Sequence, residues 1–95
     1  MYCDQIQFSR HAIERMFQRA ISLDILHSII ENGEIIASYP DDRPYPSVLI
    51  LGFQEVQPVH VIVAKDEGSG MCYVITVYRP APEAWSDDFK TRRKP

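Results

Sequence analysis

The stretch "IIENGEIIASYPDDRPYPSVLILGF", residues 29–53, decides the fold, because the spacing of apolar residues changes inside it. Before Gly33 they recur at helical intervals. After it, "EIIASY" and "SVLILGFQ" read with the two-residue period or the continuous apolar run of strands. Asn32 and Gly33 close the helix, and "PDDRPYP" forms a loop stiffened by its prolines.

Backward from this point, a second helix begins at Ser22 as N-cap. Asp24 lies in its first turn, where a negative charge suits the dipole, and Leu23, Leu26, Ile29 and Ile30 form its inner face. His27 lies on the rim of that face and reads as a structural residue with a polar tip. A first helix covers residues 9–20, capped by Ser9, with Ala12, Ile13, Met16, Phe17 and Ala20 expected in the core.

Forward, "PVHVIVAK" and "MCYVITVY" are two more strands joined by the turn-forming "DEGSG". Closing this hairpin at Lys65 and Met71 puts His60 opposite Thr76. Val59, Val61, Val63, Tyr73, Ile75 and Val77 then share one face, the seat for the helices. His60, Ile62, Ala64, Cys72, Val74, Thr76 and Tyr78 share the other, whose polar end offers a ligand surface. Residues 1–8 are a candidate edge strand. Trp85 and Phe89 pack back from a short turn, and residues 86–95 form a flexible basic tail carrying Lys90, Arg92, Arg93 and Lys94. The expected whole is a single α+β domain: two N-terminal helices packed on an antiparallel sheet of about four strands, in two layers.

Composition bounds the function. Ninety-five residues make one domain, and 45% hydrophobic with 24% charged residues is a globular balance. No apolar run approaches the roughly 20 residues of a membrane span. "MYCDQIQF" lacks the basic start and apolar stretch of a secretory signal, so the expected location is cytoplasmic. Cys3 and Cys72 have no ligand spacing, so no metal or other cofactor is expected, and both are expected as reduced thiols. The net charge of -3 excludes a broadly basic nucleic-acid binder and confines any such role to a local patch.

Such a patch is written in "SRHAIERMFQR", residues 9–19. His11, Arg15 and Arg19 stand four apart and form one stripe along the helix. Spacing alone fits a solvated face paired with Glu14, Asp41 or Asp42 first, and a surface that contacts a ligand second. Guanidinium groups grip phosphate oxygens two at a time, and an imidazole moves protons near neutrality. A metal-independent ribonuclease needs a base for the 2′-hydroxyl, an acid for the leaving oxygen and cations for the phosphorane. His11 and His60 are the candidate proton-transfer groups. Arg15, Arg19 and Arg79 are the candidate cations, Tyr78 a candidate donor or stacking surface, and Thr76 a candidate substrate contact. His60 also reads as a half-buried residue bonded to Thr76, and Tyr78 and Trp85 as core or rim aromatics. No GxSxG, Gly-rich phosphate loop or HExxH is present, which disfavours covalent and zinc hydrolysis.

"FSRHAIERMFQRAIS", "PVHVIVA" and "YVITVYRP" with a following Trp resemble a small bacterial family labelled as a domain of unknown function, over about residues 8–85. By distant similarity that family is grouped with the RelE-like and BrnT-like toxins. The resemblance implies a RelE-like two-layer fold and an endoribonuclease of the mRNA interferase type, acting on RNA within a toxin–antitoxin module. It also implies a neighbour-encoded antitoxin, possibly a small zinc-finger protein with CxxC motifs. The chain departs from such toxins in its acidic balance and in the Asp pairs at 41–42 and 87–88. The alternative is a non-catalytic module that keeps the fold and docks a partner protein or its own twin as a homodimer.

Overall fold

A computed structural model describes residues 1–94. In chain order the elements are β1 (Gln5–Phe8), α1 (Arg10–Gln18), α2 (Leu23–Asn32), β2 (Glu34–Tyr39), β3 (Ser47–Gln54), β4 (Gln57–Asp66) and β5 (Met71–Tyr78). The change of period at Gly33 is the change from α2 to β2, and both helices begin at the expected caps. The Ser9 hydroxyl accepts from Ala12 N–H and the Ser22 hydroxyl from Ile25 N–H.

The strands form one five-stranded sheet in the order β1-β5-β4-β3-β2. Four of them make the antiparallel meander, while the fifth, β1, pairs parallel with β5. The fold is therefore mixed α+β with five strands rather than about four, and its sheet is not wholly antiparallel.

The register of the last hairpin also differs from expectation. Asp66 faces Met71, Ile62 faces Thr76 and His60 faces Tyr78, with a bulge because Val63 already pairs with Val74. Ile75 is the extra residue, and it shifts the alternation of β5 by one. Because the hairpin closes at Asp66 rather than Lys65, Cys72 and Val74 turn inward to join Val59, Val61 and Val63, and the bulge keeps Val77 on the same face, in the core against Leu26, Ile29 and Ile30. Tyr73 and Ile75, expected inside, face outward beside Thr76 and Tyr78.

α1 lies along the sheet edge beside β5. It runs in the same direction, from a bond between the Ser9 hydroxyl and the Ile75 carbonyl to one between Arg79 and the Arg19 carbonyl. An edge position covers only a narrow line of a helix, and Ala12 is the buried residue of α1. Ile13 is 56% exposed and Phe17 90% exposed, so neither belongs to the core as expected; Leu23, at the start of α2, is exposed as well. Ala20, also expected inside, is exposed and adopts a positive φ of 55° in the turn to α2.

The two cysteines are not free thiols. Cys3 and Cys72 form a disulfide with Cα atoms 5.7 Å apart, brought together because the parallel pairing sets Ile6 opposite Cys72. Disulfides persist in oxidising surroundings, so this pairing removes the cysteine-based support for a cytoplasmic location. No helix among the described residues is long and apolar enough to cross a membrane.

The chain after β5 crosses the outward sheet face. It folds back on itself through Ser86 N–H to the Thr91 carbonyl, Arg93 N–H to the Ala84 carbonyl and a bridge between Trp85 and Arg92. The tail expected to be flexible over residues 86–95 is thus folded on itself over the described residues 86–94 and joined to the body where the Phe89 carbonyl meets His60 and Lys90 pairs with Glu34, and Trp85 is buried over β4.

Candidate functional site

On β5 the bulge aligns Tyr73, Ile75, Thr76 and Tyr78 on the outward face, and α1 borders this line along the sheet edge. His11 reaches around the edge, and its Nε2 shares a 2.9 Å hydrogen bond with the Thr76 hydroxyl. The imidazole is solvent-exposed. Arg15 and Arg19 follow at helical spacing; Arg15 donates to Gln18 Oε1 at 2.9 Å. The salt bridges among the described residues join Lys65 to Glu67, Lys90 to Glu34 and Arg93 to Asp87, so neither Arg15 nor Arg19 has a carboxylate partner there. The expected alternative, a stripe neutralised by Glu14, Asp41 or Asp42, is not what forms.

Arg79 behaves differently. Its Nη2 donates to the Arg19 carbonyl and to Gln54 Oε1. Its Nη1 is buried without a partner among the described residues. A guanidinium committed to a backbone carbonyl ties the end of α1 to the sheet, which makes Arg79 a brace more than a phosphate ligand.

His60 is fully buried, at 0% exposure. Trp85 meets it edge-on with ring centroids 4.4 Å apart, and Tyr78 packs at 5.2 Å. Its Nε2 bonds the Phe89 carbonyl at 2.8 Å and its Nδ1 the Tyr78 hydroxyl at 3.1 Å. A carbonyl only accepts, so Nε2 carries the proton; in the neutral ring Nδ1 then accepts from the Tyr78 O–H. Burial lowers the His60 pKa, which the Phe89 carbonyl partly opposes, and this favours that neutral form. Burial likewise raises the Tyr78 phenol, with the nearby Tyr39 adding to the effect and Arg92 opposing it.

The expected residues therefore divide into two groups on one sheet face. His11 and Thr76 form the open, wet group, with Arg15 and Arg19 beside them. His60 and Tyr78 form the closed group under Trp85, two positions farther along β5. His60 does not bond Thr76, and its ring nitrogens are both occupied inside the fold. Phe89, expected to pack back, makes a bond to His60 that the sequence did not announce. It contributes a carbonyl, which has no side-chain signature, from a backbone with a positive φ of 62°. No cluster of three or more metal-ligating side chains occurs among the described residues.

This arrangement sits within residues 8–79, and over that span the sequence matches the family described as Domain of unknown function (DUF4258). The chain belongs to the DUF4258 family. Its match begins at Phe8, just ahead of the Ser9 cap and the His11 stripe, and ends at Arg79 after the Thr-Val-Tyr strand, so the DUF4258 region contains the whole candidate site except Trp85, Phe89 and Arg92. No curated protein and no solved structure matches the chain.

Proposed function

We propose that this DUF4258 protein is a toxin-like endoribonuclease with a RelE-like fold, in which the stripe on α1 holds an RNA phosphate and His11 moves the proton. The observation that carries this reading is the exposed imidazole fixed on Thr76 next to two arginines that lack carboxylate partners. His11 takes the proton of the ribose 2′-hydroxyl, that oxygen attacks phosphorus, and the imidazolium returns the proton to the leaving 5′-oxygen. Arg15 and Arg19 stabilise the charged phosphorane. Thr76 orients the imidazole. Tyr78 supplies an aromatic wall, and His60 serves the reaction through Tyr78 rather than by touching RNA.

A single-stranded RNA incubated with the protein in EDTA tests this. The expected products end in a 2′,3′-cyclic phosphate, and His11→Ala and Arg15→Ala each reduce the rate by about 100-fold or more. Intact RNA, or cleavage unaltered in both variants, overturns the reading.

A second reading, a non-catalytic docking module, is favoured by the exposure of Ile13 and Phe17 one turn apart on the same helix. In that case Phe17→Asp abolishes binding of a neighbour-encoded antitoxin-like protein, or of a second copy, while His11→Ala leaves it unchanged.

A further inference from the structure

The outward line on β5 extends past what a phosphate requires. Beyond Ile75 it opens into a cleft of about 400 Å³ bordered by Asp42, Arg43, Tyr45, Ala64, Tyr73 and Ile75. That volume lies in the range of small-ligand sites. Tyr45, from the loop between β2 and β3, lies parallel to Tyr73 of β5, with ring centroids 5.6 Å apart and planes 4° apart. The loop is pinned where it meets β3, because the Ser47 hydroxyl donates to Asp42. The charge of Asp66 raises the Tyr45 phenol's pKa. Arg43 stands on the rim without an ion-pair partner among the described residues.

We propose that this cleft is a nucleobase subsite: one base stacks on the outer face of the Tyr73–Tyr45 pair, and Arg43 meets the phosphate of the same nucleotide. The inference rests on the RNA-directed reading above and names the part of the substrate that reading leaves unassigned. The outer face of a stacked aromatic pair beside Ala64 and Ile75 suits a heterocycle, since every base presents a π-face. A cation on the rim suits the phosphate attached to that base. Tyr73 and Thr76 pair with Ala64 and Ile62, two positions apart on β4, so they stand about 7 Å apart along the sheet, and a base in the cleft and a phosphate at His11 belong to one short stretch of RNA.

Isotope-labelled protein titrated with adenosine 5′-monophosphate and, separately, with ribose 5-phosphate tests the subsite by NMR. The nucleotide is expected to move signals of Tyr73, Ala64 and Ile75, and the sugar phosphate is expected to leave them in place. Tyr73→Ser weakens nucleotide binding about 10-fold, whereas Tyr73→Phe, which keeps the ring, preserves it. Thermal melting checks that each variant is folded. Equal shifts with both probes, or nucleotide affinity unchanged in Tyr73→Ser, overturn the subsite. Because the readout is binding, its failure is separable from that of the cleavage reading: RNA cut at His11 with no base-dependent shift removes the subsite alone, and base-dependent shifts without cleavage remove the nuclease alone.

Discussion

At the scale of single residues, His60 shows what burial does to a candidate catalyst. Its position between Val59 and Val61 marked it as a strand residue, and its residue type marked it as a proton carrier. What the position does not reveal is the chain that returns over it more than twenty residues later. Under Trp85 burial favours the neutral ring, and both nitrogens are spent. This has a pH consequence whose sign is fixed. The pKa of His60 lies below its ordinary 6.5 in the folded chain, so as pH falls through about 6.5 the unfolded chain takes up a proton that the folded one refuses. Stability is full above that pH, declines below it, and levels off once the folded pKa is passed. Urea denaturation between pH 7.5 and 5 should show this decline, and His60→Gln should flatten it. Asp66 and Asp88, held low by hydrogen bonds from Ser69 and Ser86, lose their contributions only in the more acidic carboxylate range, so the two effects separate on the pH axis.

At the scale of elements, the consequential feature is how α1 is hung. A helix of nine residues is marginal by itself, and this one has a single buried residue. It is held through its ends: β1 and Ser9 on one side, Arg79 on the other. β1 in turn is fastened by Cys3–Cys72, which closes a loop of 69 residues. In the chain-entropy account a loop of that length stabilises by about 4 kcal/mol, a large part of a small domain's total. Reduction with dithiothreitol should therefore lower the melting temperature by at least 10 °C. Hydrogen exchange should rise first in residues 5–18, ahead of β3 and β4. Uniform loosening across the sheet would contradict this account of the anchor. The bulge at Ile75 belongs to the same scale. A hairpin read from its loop gives a register with no extra residue, and nothing in "MCYVITVY" distinguishes the bulged position from its neighbours.

At the scale of the whole molecule, the net charge of -3 and a cationic stripe coexist, and several of the other basic groups are engaged within the fold. Lys90 pairs with Glu34, Arg93 with Asp87, and the Arg92 guanidinium lies 5.8 Å from the centre of the Trp85 ring. The tail that looked like a basic arm is a clasp over β4. Among the described residues Arg10, Arg15, Arg19, Arg43 and Lys94 have no ion-pair partner, and of these the proposed RNA path uses Arg15, Arg19 and Arg43, which sets phosphate neutralisation at two or three contacts. RNA affinity measured against salt should then follow a shallow line, with a log–log slope of about -1.4 to -2.1. Arg15→Ala should reduce that slope by about 0.7. A steep dependence would mean that RNA lies along a surface other than the α1 edge.

The sequence by itself determined the elements: two capped helices, the change of period at Gly33, the meander of strands and the local stripe of His11, Arg15 and Arg19. These are near-neighbour properties, set by side-chain spacing, turn chemistry and caps that act within a few residues. Tertiary structure alone decided that α1 lies on an edge and exposes Phe17, that Cys3 meets Cys72, that Ile75 is extra, and that Phe89 and Trp85 seal His60. Each of those depends on segments far apart in the chain competing for the same surface, and the winner is set by packing over the whole sheet rather than by any local pattern.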